Sequence, residues 1–362
     1  MSARLLLSVT RHVSCYHKPT NILKQIMVLS PRESGEFIAK NAKLVKVHEA
    51  GIDKLAGDVL AGLKDGTIDP KNFSQNELHP KPQDSDAPNW LLLIDTLNFC
   101  FWTAGKKQKW QVEGHTGYFA LCAAINRAKR DGVDITNPNF YSKITQDQLK
   151  NILRSDDATT VAPLLEQRVA CLHEVGTKLM EKYDGKFENF IKSCNKSAQN
   201  LLQLIVTEFP CFRDEAQFHG ERVAIYKRAQ ILVGDIWSCY CGEGLGEFND
   251  IETITMFADY RVPQVLVHYG CMEYTQELLD TLKEDKLLEN GSQEEVEIRG
   301  ISIYVVEELK KKLVETIKEN DLNIDLRKVN SILLDHYLWD YRRKYAAELE
   351  YIPFHKVLCV YY

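Results

Sequence analysis

The sequence predicts a mainly α-helical protein with few short strands, and three observations support this fold class. Apolar residues recur at helical spacing in most segments from Ser30 onward, helix start and stop residues bound several of these segments, and strand-like alternation is confined to short stretches. The 362 residues are 44% hydrophobic and 27% charged, which is typical of a soluble globular protein with a full core. No apolar run reaches the roughly 18 residues that a membrane-spanning helix needs, so no membrane association is predicted.

The first two predicted helices are identified by the residues at which they begin or end. The segment SPRESGEFIAKNA begins with Ser-Pro and carries Glu33 three residues after Ser30, a spacing that predicts a capping box. The segment HEAGIDKLAGDVLAGLKDG has apolar residues at helical spacing and stops at Gly66. Further amphipathic helices are predicted over residues 116–131, 160–182, 189–209, 221–240 and 330–344.

Three apolar segments have a less decisive pattern. Residues 90–102, WLLLIDTLNFCFW, are so densely apolar that periodicity does not separate a buried strand from the start of a helix. Residues 254–270, ITMFADYRVPQVLVHYG, are interpreted as a helix, a break and a second helix. Residues 296–317 begin with strand-like alternation and then become helical.

Residues 1–28 are interpreted as an N-terminal extension, and residues 29–362 as a single domain. Residues 1–32 contain five Lys or Arg residues and several serines but no Asp or Glu, a pattern typical of a mitochondrial transit peptide. The alternative is a disordered tail or an upstream extension, with Met27 as a second start.

Charge and cysteine content argue against two classes of protein. Proteins that bind long nucleic acids usually present a basic surface, and the net charge of −6 argues against this class. The ten cysteines are scattered without a CxxC pair, so we predict no zinc site and expect reduced, buried thiols.

Candidate chemistry centres on acids that lie among apolar residues. Asp259 lies between Phe257 and Tyr260 in ITMFADYRVPQVL. Burial there disfavours the ionised form of the carboxyl group unless a cation or hydrogen-bond donor compensates, and Arg261 is close enough in sequence to do so. The alternative is structural, because an acid ahead of Pro263 can cap the start of a helix.

Two further segments combine acids or amides with aromatic rings. In LLDHYLWD, Asp335 and Trp339 are four residues apart and share one helix face, and Asp340 follows Trp339. This arrangement suggests a pocket for a flat ligand with hydrogen-bond donors; a solvated helix edge is the alternative. In DTLNFCFW, Asp95 and Asn98 either join parts of the fold or face a ligand.

Six segments, taken together and in order, resemble the queuosine salvage protein family. They are DTLNFCFW, YKRAQILVGDIW, ITMFADYRVPQVL, EVEIRG, SILLDHYLWDY and PFHKVLCVYY, and the resemblance runs from about Pro31 to Tyr362. It implies a helical fold similar to that of DNA glycosylases and an enzyme that hydrolyses the N-glycosidic bond of queuosine 5′-monophosphate. The released queuine would be salvaged into tRNA. No metal or organic cofactor and no direct DNA binding are implied.

The resemblance also implies roles for individual residues. Asp259 is the candidate catalytic residue. It would either stabilise the positive charge that builds on the ribose as the bond breaks or orient the attacking water. Phe257 would stack on the base, and Asp335 and Asp340 would accept hydrogen bonds from it beside the flat wall of Trp339. The remaining candidates for substrate binding are Asn98, Phe99, His79, Arg261 and Lys227, with Arg228 and Arg299 as further cations for the 5′-phosphate.

Two other functions are left open by the residues themselves. A non-catalytic carrier of queuine or of a nucleoside would use the same pocket, and a nucleic-acid repair glycosylase would use the same acids. The net charge of −6 does not favour the repair enzyme. We expect a monomeric, cytoplasmic protein, with a mitochondrial isoform if residues 1–28 act as a targeting signal.

Overall fold

Helices make up most of the protein, which confirms the predicted mainly α class. The computed structural model describes residues 28–103 and 108–362. Its helices are α1 (Pro31–Asn41), α2 (Glu49–Asp65), α3 (Lys71–Gln75), α4 (Ala87–Leu97), α5 (Tyr118–Arg130), α6 (Pro138–Tyr141), α7 (Gln146–Ile152), α8 (Leu165–Tyr183), α9 (Phe187–Lys192), α10 (Ala198–Glu208), α11 (Lys227–Cys239), α12 (Val262–His268), α13 (Gln276–Lys283), α14 (Gln293–Glu319) and α15 (Ser331–Lys344). The similarity to DNA glycosylases stays a prediction.

The strands of the described residues are short and form small sheets. One sheet has the order β1 (Val28–Leu29), β6 (Glu221–Ala224) and β5 (Glu215–Phe218), with β1 parallel and β5 antiparallel to β6. The β5–β6 hairpin turns at His219 and Gly220, whose φ angles of 46° and 83° suit a turn with two left-handed residues. The other pairs are β2 (Val45–Val47) with β7 (Met272–Tyr274), β3 (Gln111–Val112) with β4 (His115–Thr116), and β8 (Leu287–Leu288) with β9 (Lys356–Val357).

Helices α1 and α14 approach each other closely because two glycines leave room at their crossing. A Cβ atom on Gly35 would lie 3.0 Å from Cγ2 of Ile303, and one on Gly300 would overlap the side chain of Ile38. Both isoleucines are fully buried, so each packs against the backbone of the opposite helix. Helix α14 also packs against α2, α12 and α15, so the crossing of α1 and α14 helps to position α15.

The helix starts agree with the predicted caps. The hydroxyl of Ser30 accepts from the backbone N–H of Glu33, and the Glu33 carboxylate accepts from the backbone N–H of Ser30, which is the predicted capping box. The side chain of Asn330 accepts from the backbone N–H of Leu333 at 3.0 Å and caps α15. The undecided segment 90–102 is helical as far as Leu97, and α4 is buried along almost its whole length.

Two helix predictions were wrong because tertiary contacts satisfy the backbone in another way. Residues 221–224 form β6, since β1 and β5 lie on either side of it, and the helix begins only at Lys227. The first helix predicted in 254–270 is absent, and residues 254–260 follow an irregular path. The backbone N–H of Thr255 donates to the Gln230 side chain at 2.9 Å, so a side chain replaces a helical acceptor there.

The strand-like start predicted for 296–317 was also wrong, because these residues lie inside α14. Polar and apolar residues alternate here because the charged side chains of Glu297 and Arg299 are buried inside the protein, and not because the segment is a strand. Glu297 is fully buried and accepts from the backbone N–H groups of residues 43–45. Arg299 is also buried and pairs with Asp214 at 2.6 Å.

Residues 1–27 lie outside the described residues, so the predictions on targeting and on domain boundaries stay predictions. In the part of the chain that is described, no helix combines the length and apolar character needed to cross a membrane. Nine of the ten cysteines fall in that part; all nine are free thiols and most are buried.

We predict that Gly300→Ala lowers the free energy of unfolding by about 1–3 kcal/mol, because the added methyl group overlaps Ile38. Gly57→Ala in α2 is the matched control, since Gly57 is exposed and has open space around it. That change should raise the free energy of unfolding by about 0.5–1 kcal/mol. Urea denaturation measures both, and equal effects at the two positions would contradict a tight helix crossing.

Candidate active site

A cavity of about 960 Å³ lies between α11, α15, the irregular segment 254–261 and the C-terminal segment 354–362. Apart from Arg228 and Arg299, the two further cations suggested for the phosphate, the sequence predicts ten catalytic or substrate-binding residues. All ten line the cavity: Asp259, Phe257, Asp335, Trp339, Asp340, Asn98, Phe99, His79, Arg261 and Lys227. The fold thus brings together motifs that are far apart in the chain. The roles of these residues stay predictions.

Asp259 caps a helix and lines the cavity at the same time. Its Oδ1 accepts hydrogen bonds from the backbone N–H groups of Arg261 and Val262, both at 2.8 Å. These bonds satisfy the backbone donors of the N-cap residue Arg261 and of Val262, the first residue of α12, as the capping interpretation expects, although Asp259 lies two residues ahead of the N-cap. Both bonds use Oδ1, so Oδ2 is available to the cavity that the residue lines.

Asp335 joins α15 to the 254–261 segment. Its Oδ1 accepts from the backbone N–H of Phe257 at 3.0 Å. The Phe257 ring packs on α11 at Gly234, where a Cβ atom would lie 2.7 Å from the ring. Burial raises the pKa of Asp335 well above its usual value, and the nearby Asp259 charge adds to the rise. Burial thus shifts the protonation equilibrium of Asp335 toward the protonated acid, relative to an exposed aspartate.

Lys227 is a buried cation that faces several carboxyl groups. Its Nζ donates to the backbone carbonyl of Asn98 at 3.4 Å. Burial lowers the pKa of Lys227, and the neighbouring Asp259 and Asp95 carboxyl groups oppose this shift. Lys227 and Asp259 are therefore close enough for their charges to interact, although they lie on different elements.

Asp235 is a cavity residue that the sequence analysis missed. Lys227, Ile231 and Asp235 follow one another at four-residue spacing on α11 and all line the cavity. Burial raises the pKa of Asp235 well above its usual value, and the Asp95 charge adds to the rise. The helical spacing from Lys227 was the signal that could have found it.

Asp95 is buried near Asp235 but does not line the cavity, and only one of its two carboxylate oxygens has a hydrogen-bond partner among the described residues. Its Oδ1 accepts from the Asn98 amide at 3.2 Å, whereas its buried Oδ2 has no partner in the described residues. Burial raises the pKa of Asp95 to about 7. The Asp95 side chain thus binds a residue only three positions further along the chain, so its hydrogen bond does not join distant parts of the fold. It adds an acid to the surroundings of Lys227.

Two buried arginines hold the wall that carries Asn98 and Phe99. Arg168 from α8 and Arg228 from α11 donate to backbone carbonyls in the last turn of α4 and just after it, and Arg228 also donates to the Cys211 carbonyl. The carbonyls bound are those of residues 95–97, 99, 100 and 211. Neither arginine lines the cavity. Arg228 is therefore a structural residue rather than the phosphate ligand that the sequence suggested.

Arg299, the other suggested phosphate ligand, is structural as well. It pairs with Asp214 at 2.6 Å and with Glu295 at 3.1 Å, and its Nε donates to the carbonyl of Ala258 at 3.0 Å. Its Cζ lies 3.9 Å from the ring centroid of Tyr362. Arg299 thus ties the 254–261 segment to α14 and to the C-terminal segment.

Aromatic rings surround another part of the cavity. Trp339 lies edge-on to Tyr118 and Phe119, with ring centroids 6.1 Å and 5.4 Å away. His79 stacks on Phe73 and must donate from Nδ1 to the Phe73 carbonyl at 2.9 Å, so its Nε2 accepts from the Tyr118 hydroxyl at 3.1 Å. Burial lowers the pKa of His79 to about 4, so this ring orients Tyr118 as a neutral group.

Asp340 stands at the exposed rim of this aromatic group. Arg343 lies over the same rings, with its Cζ 4.4 Å from the centroid of Phe119 and 4.8 Å from that of Trp339. The rim therefore offers one acid and one cation beside a flat indole.

The charges of the cavity form two groups that meet at Asp259. We call the first the acidic end, which comprises Asp95, Asp235, Asp335 and the enclosed Lys227. We call the second the basic end, which comprises Arg261, Arg342 and Lys356. Asp259 is a charge neighbour of Lys227 in the first group and of Arg342 in the second. A ligand that spans the cavity would place its cationic part at the acidic end and its anionic part at the basic end.

Arg342 and Lys356 are further residues that the sequence analysis missed. Arg342 is followed by two exposed basic residues and looks like part of a solvated helix end. Lys356 lies in the motif PFHKVLCVYY, which carried no assigned role. Among residues 28–103 and 108–362, no group of three or more His, Cys, Asp or Glu side chains is arranged to hold a metal ion.

The fold and the cavity define a mainly helical protein with an acid-rich site for a small polar molecule. The family model described as queuosine salvage protein matches residues 78–362. A Mus musculus protein is 44% identical over 338 residues, which cover 92% of this chain and 99% of the relative. A Schizosaccharomyces pombe protein is 36% identical over 329 residues, which cover 87% and 92%. Both are named queuosine 5′-phosphate N-glycosylase/hydrolase.

A bacterial relative from Sphaerobacter thermophilus with the same name is 36% identical over 290 residues, which cover 79% of this chain and 84% of the relative. The matched region of the family model contains all ten predicted site residues. This chain belongs to the queuosine salvage protein family.

We predict that Asp95→Asn changes the pH dependence of stability. The pKa of Asp95 in the folded protein, about 7, lies above the ordinary value of 3.8, so the folded state binds more protons between these values. The stability that this proton confers is complete below the lower value and is lost as the pH rises through the upper one.

The contribution of Asp95 to the free energy of unfolding should therefore fall between about pH 4 and pH 7 in the wild type, and the variant should lack this fall. Asparagine mimics the protonated acid and still accepts from Asn98. Urea unfolding at several pH values measures the slope, and identical slopes would show that Asp95 does not titrate in this range.

Proposed function

We propose that this protein hydrolyses the N-glycosidic bond of queuosine 5′-phosphate and releases queuine for salvage into tRNA. One observation carries the proposal. Phe257, Asp259 and Arg261, at alternate positions of one segment, all line the cavity, as does Tyr260, whereas Ala258 is fully buried. The three side chains follow the order of base, sugar and phosphate in a nucleotide. The shared name of the relatives supports the same reaction.

The acidic end suits the queuine base. Queuine is a 7-deazaguanine with a secondary ammonium group, a diol and a guanine-like N–H edge, and each of these needs an acceptor. Burial favours the protonated forms of Asp235 and Asp335 by raising the pKa of each, and a bound ammonium group favours the ionised forms. Charge-assisted hydrogen bonds of this kind reject bases that lack the donors.

Flat side chains complete the base site. The Phe257 ring packs against α11 because Gly234 has no side chain at that point, and the residue also lines the cavity. Trp339 stands among Tyr118 and Phe119 and presents an indole. Offset stacking on such rings adds about 0.5–1.5 kcal/mol beyond the burial of area and tolerates only a planar ligand.

Asp259 stabilises the transition state. During hydrolysis the bond between C1′ and the base nitrogen breaks and its electron pair leaves with the base. Water adds to C1′ and loses one proton to solvent, and the nitrogen of the departing base takes up one proton. The ribose becomes cationic on the way, and a fixed carboxylate is worth more to this species than to the neutral ground state. A 7-deazapurine has no N7, so protonation at that position cannot assist the departure of the base. The cap bonds to Arg261 and Val262 hold the carboxylate in place before the reaction begins.

We infer further that the substrate is a free nucleotide and that the protein acts as a cytoplasmic monomer with a fold related to DNA glycosylases. The net charge of −6 and the acidic end of the cavity support a small substrate over a nucleic acid. Residues 1–28 would direct a mitochondrial isoform. Imaging of the chain with and without residues 1–26 tests the address, and light scattering tests the monomer.

The reaction is tested by incubating the purified protein with queuosine 5′-phosphate and analysing the products by mass spectrometry. Free queuine and ribose 5-phosphate are expected. Folded protein that binds the nucleotide without releasing base would be a carrier, and release of base from a polynucleotide alone would indicate a nucleic-acid glycosylase. Either result would refute the proposed reaction.

We predict that Asp259→Asn lowers kcat by at least about 100-fold, because it removes the charge that faces the cationic ribose. Asparagine can still accept from Arg261 and Val262, so the free energy of unfolding should change by less than about 0.5 kcal/mol. Asp259→Ala loses the cap as well and should also cost about 1 kcal/mol of stability. Queuine release and urea unfolding separate the two roles, and a fully active Asn variant would disprove the catalytic one.

We predict that Asp235→Asn raises the KM for queuosine 5′-phosphate by roughly 10- to 100-fold, with a smaller effect on kcat, because a charged hydrogen bond to the base is lost. Steady-state kinetics separate the two parameters. An unchanged KM in a variant that folds normally would remove Asp235 from the base site.

A further inference from the structure

The basic end concentrates positive charge around one aromatic ring. The Cζ of Arg261 and the Nζ of Lys356 lie 4.0 Å and 5.1 Å from the ring centroid of Phe354. The side chains of Arg342 and Lys356 are only 7% and 13% exposed. Three like charges are thus packed at one end of the cavity with little water around two of them.

A neutral side chain holds two of these cations side by side. Gln264 on α12 is buried, and its Oε1 accepts from Nη1 of Arg261 at 3.2 Å and from Nε of Arg342 at 2.8 Å. Its Nε2 donates to the carbonyls of Leu349 and Ile352, which fixes the amide. Two guanidinium groups therefore share one uncharged acceptor, and this contact neutralises neither of them.

The carboxylates that pair with the group lie toward solvent. Glu350, 3.3 Å from Arg342, is 69% exposed, and Asp285, which pairs with Lys356, is 50% exposed. Such exposed pairs contribute little to stability. Burial lowers the pKa values of Arg342 and Lys356, and the charge of Arg261 lowers both further. The cavity side of the group thus keeps an excess of positive charge.

We propose that Arg261, Arg342 and Lys356 bind the phosphate monoester of the substrate and that Gln264 is a positioning residue for the two guanidinium groups. The inference rests on the proposed function, which supplies a 5′-phosphate. Guanidinium groups bind phosphate oxygens in a bidentate way, and a buried lysine adds a point charge. Arg261 is two residues from Asp259, so a phosphate bound here would place the ribose against that acid.

The other cations of the cavity are less suitable. Arg343 and Lys344 are exposed, and Arg343 lies over the ring of Trp339 in the base wall. Lys227 is enclosed by the acidic end, where its charge already interacts with several carboxyl groups. A phosphate there would meet the repulsion of the same acids.

The test compares queuosine 5′-phosphate with the nucleoside queuosine in the wild type, Arg261→Gln and Lys356→Met. The ratio of kcat/KM for the phosphate to kcat/KM for the nucleoside should fall by roughly 10- to 100-fold in each variant. Lys318→Met is the matched control, because it removes an exposed charge from α14, and it should keep the wild-type ratio. Wild-type ratios in both cavity variants would overturn the proposal.

Gln264→Met tests the positioning role with the same ratio. Loss of the shared acceptor should lower the preference for the phosphate, whereas a general loss of structure would reduce activity on both compounds equally. An unchanged ratio would remove Gln264 from this role.

Calorimetry with ribose 5-phosphate tests the subsite independently of catalysis. Arg261→Gln and Lys356→Met should each weaken binding by roughly 10- to 100-fold. If the wild type binds ribose 5-phosphate through these residues but releases no queuine, the subsite is correct and the proposed function is wrong. If it releases queuine while the variants bind ribose 5-phosphate as tightly as the wild type, the subsite is wrong and the function stands.

Discussion

Helix α4 ends inside the protein, and the candidate site depends on how its last carbonyl groups are bound. A buried helix end needs donors, and Arg168 and Arg228 supply them. Both guanidinium groups also lie over the ring of Phe99, with Cζ 4.3 Å and 5.0 Å from its centroid. The chain that leaves α4 is therefore held in one conformation, with Asn98 and Phe99 on the cavity wall. Because Arg228 directly follows Lys227, one turn of α11 supplies both a structural cation and a cavity cation.

The acidic end contains polar groups that the fold does not satisfy. Oδ2 of Asp95 is buried without a partner in the described part of the chain, and burial raises the pKa values of Asp235 and Asp335. Each unsatisfied buried group costs about 1–3 kcal/mol, so tight packing elsewhere, as at the α1–α14 crossing, has to offset it. Groups of this kind cluster at functional sites. A ligand with donors or a positive charge would supply partners to Asp235 and Asp335, which line the cavity, whereas Asp95 does not line it.

Local patterns predict the helices and many of the cavity residues, because caps and dense motifs act over a few neighbouring positions. The capping box at Ser30 and the acids at Asp259 and Asp335 are examples. Local patterns do not tell which face of a helix looks into a cavity. Asp235 and Arg342 were missed for this reason, since their environment depends on how distant elements pack. Residues 221–224 show helical periodicity yet form a strand, because two other strands lie beside them.

The irregular path of residues 254–261 explains how a capping acid also becomes a cavity acid. Side chains from three helices bind its backbone, namely Gln230 of α11, Arg299 of α14 and Asp335 of α15. In a helix, residues two positions apart point about 160° away from each other, so Phe257 and Asp259 would face opposite sides. In the observed path Phe257, Asp259 and Arg261 all reach the cavity. A single stretch of backbone therefore sets the spacing between the aromatic wall, the acid and the basic end. A shift of any one of the three helices would move all three groups together, so under the proposed function recognition of a whole nucleotide would depend on this backbone rather than on separate side chains.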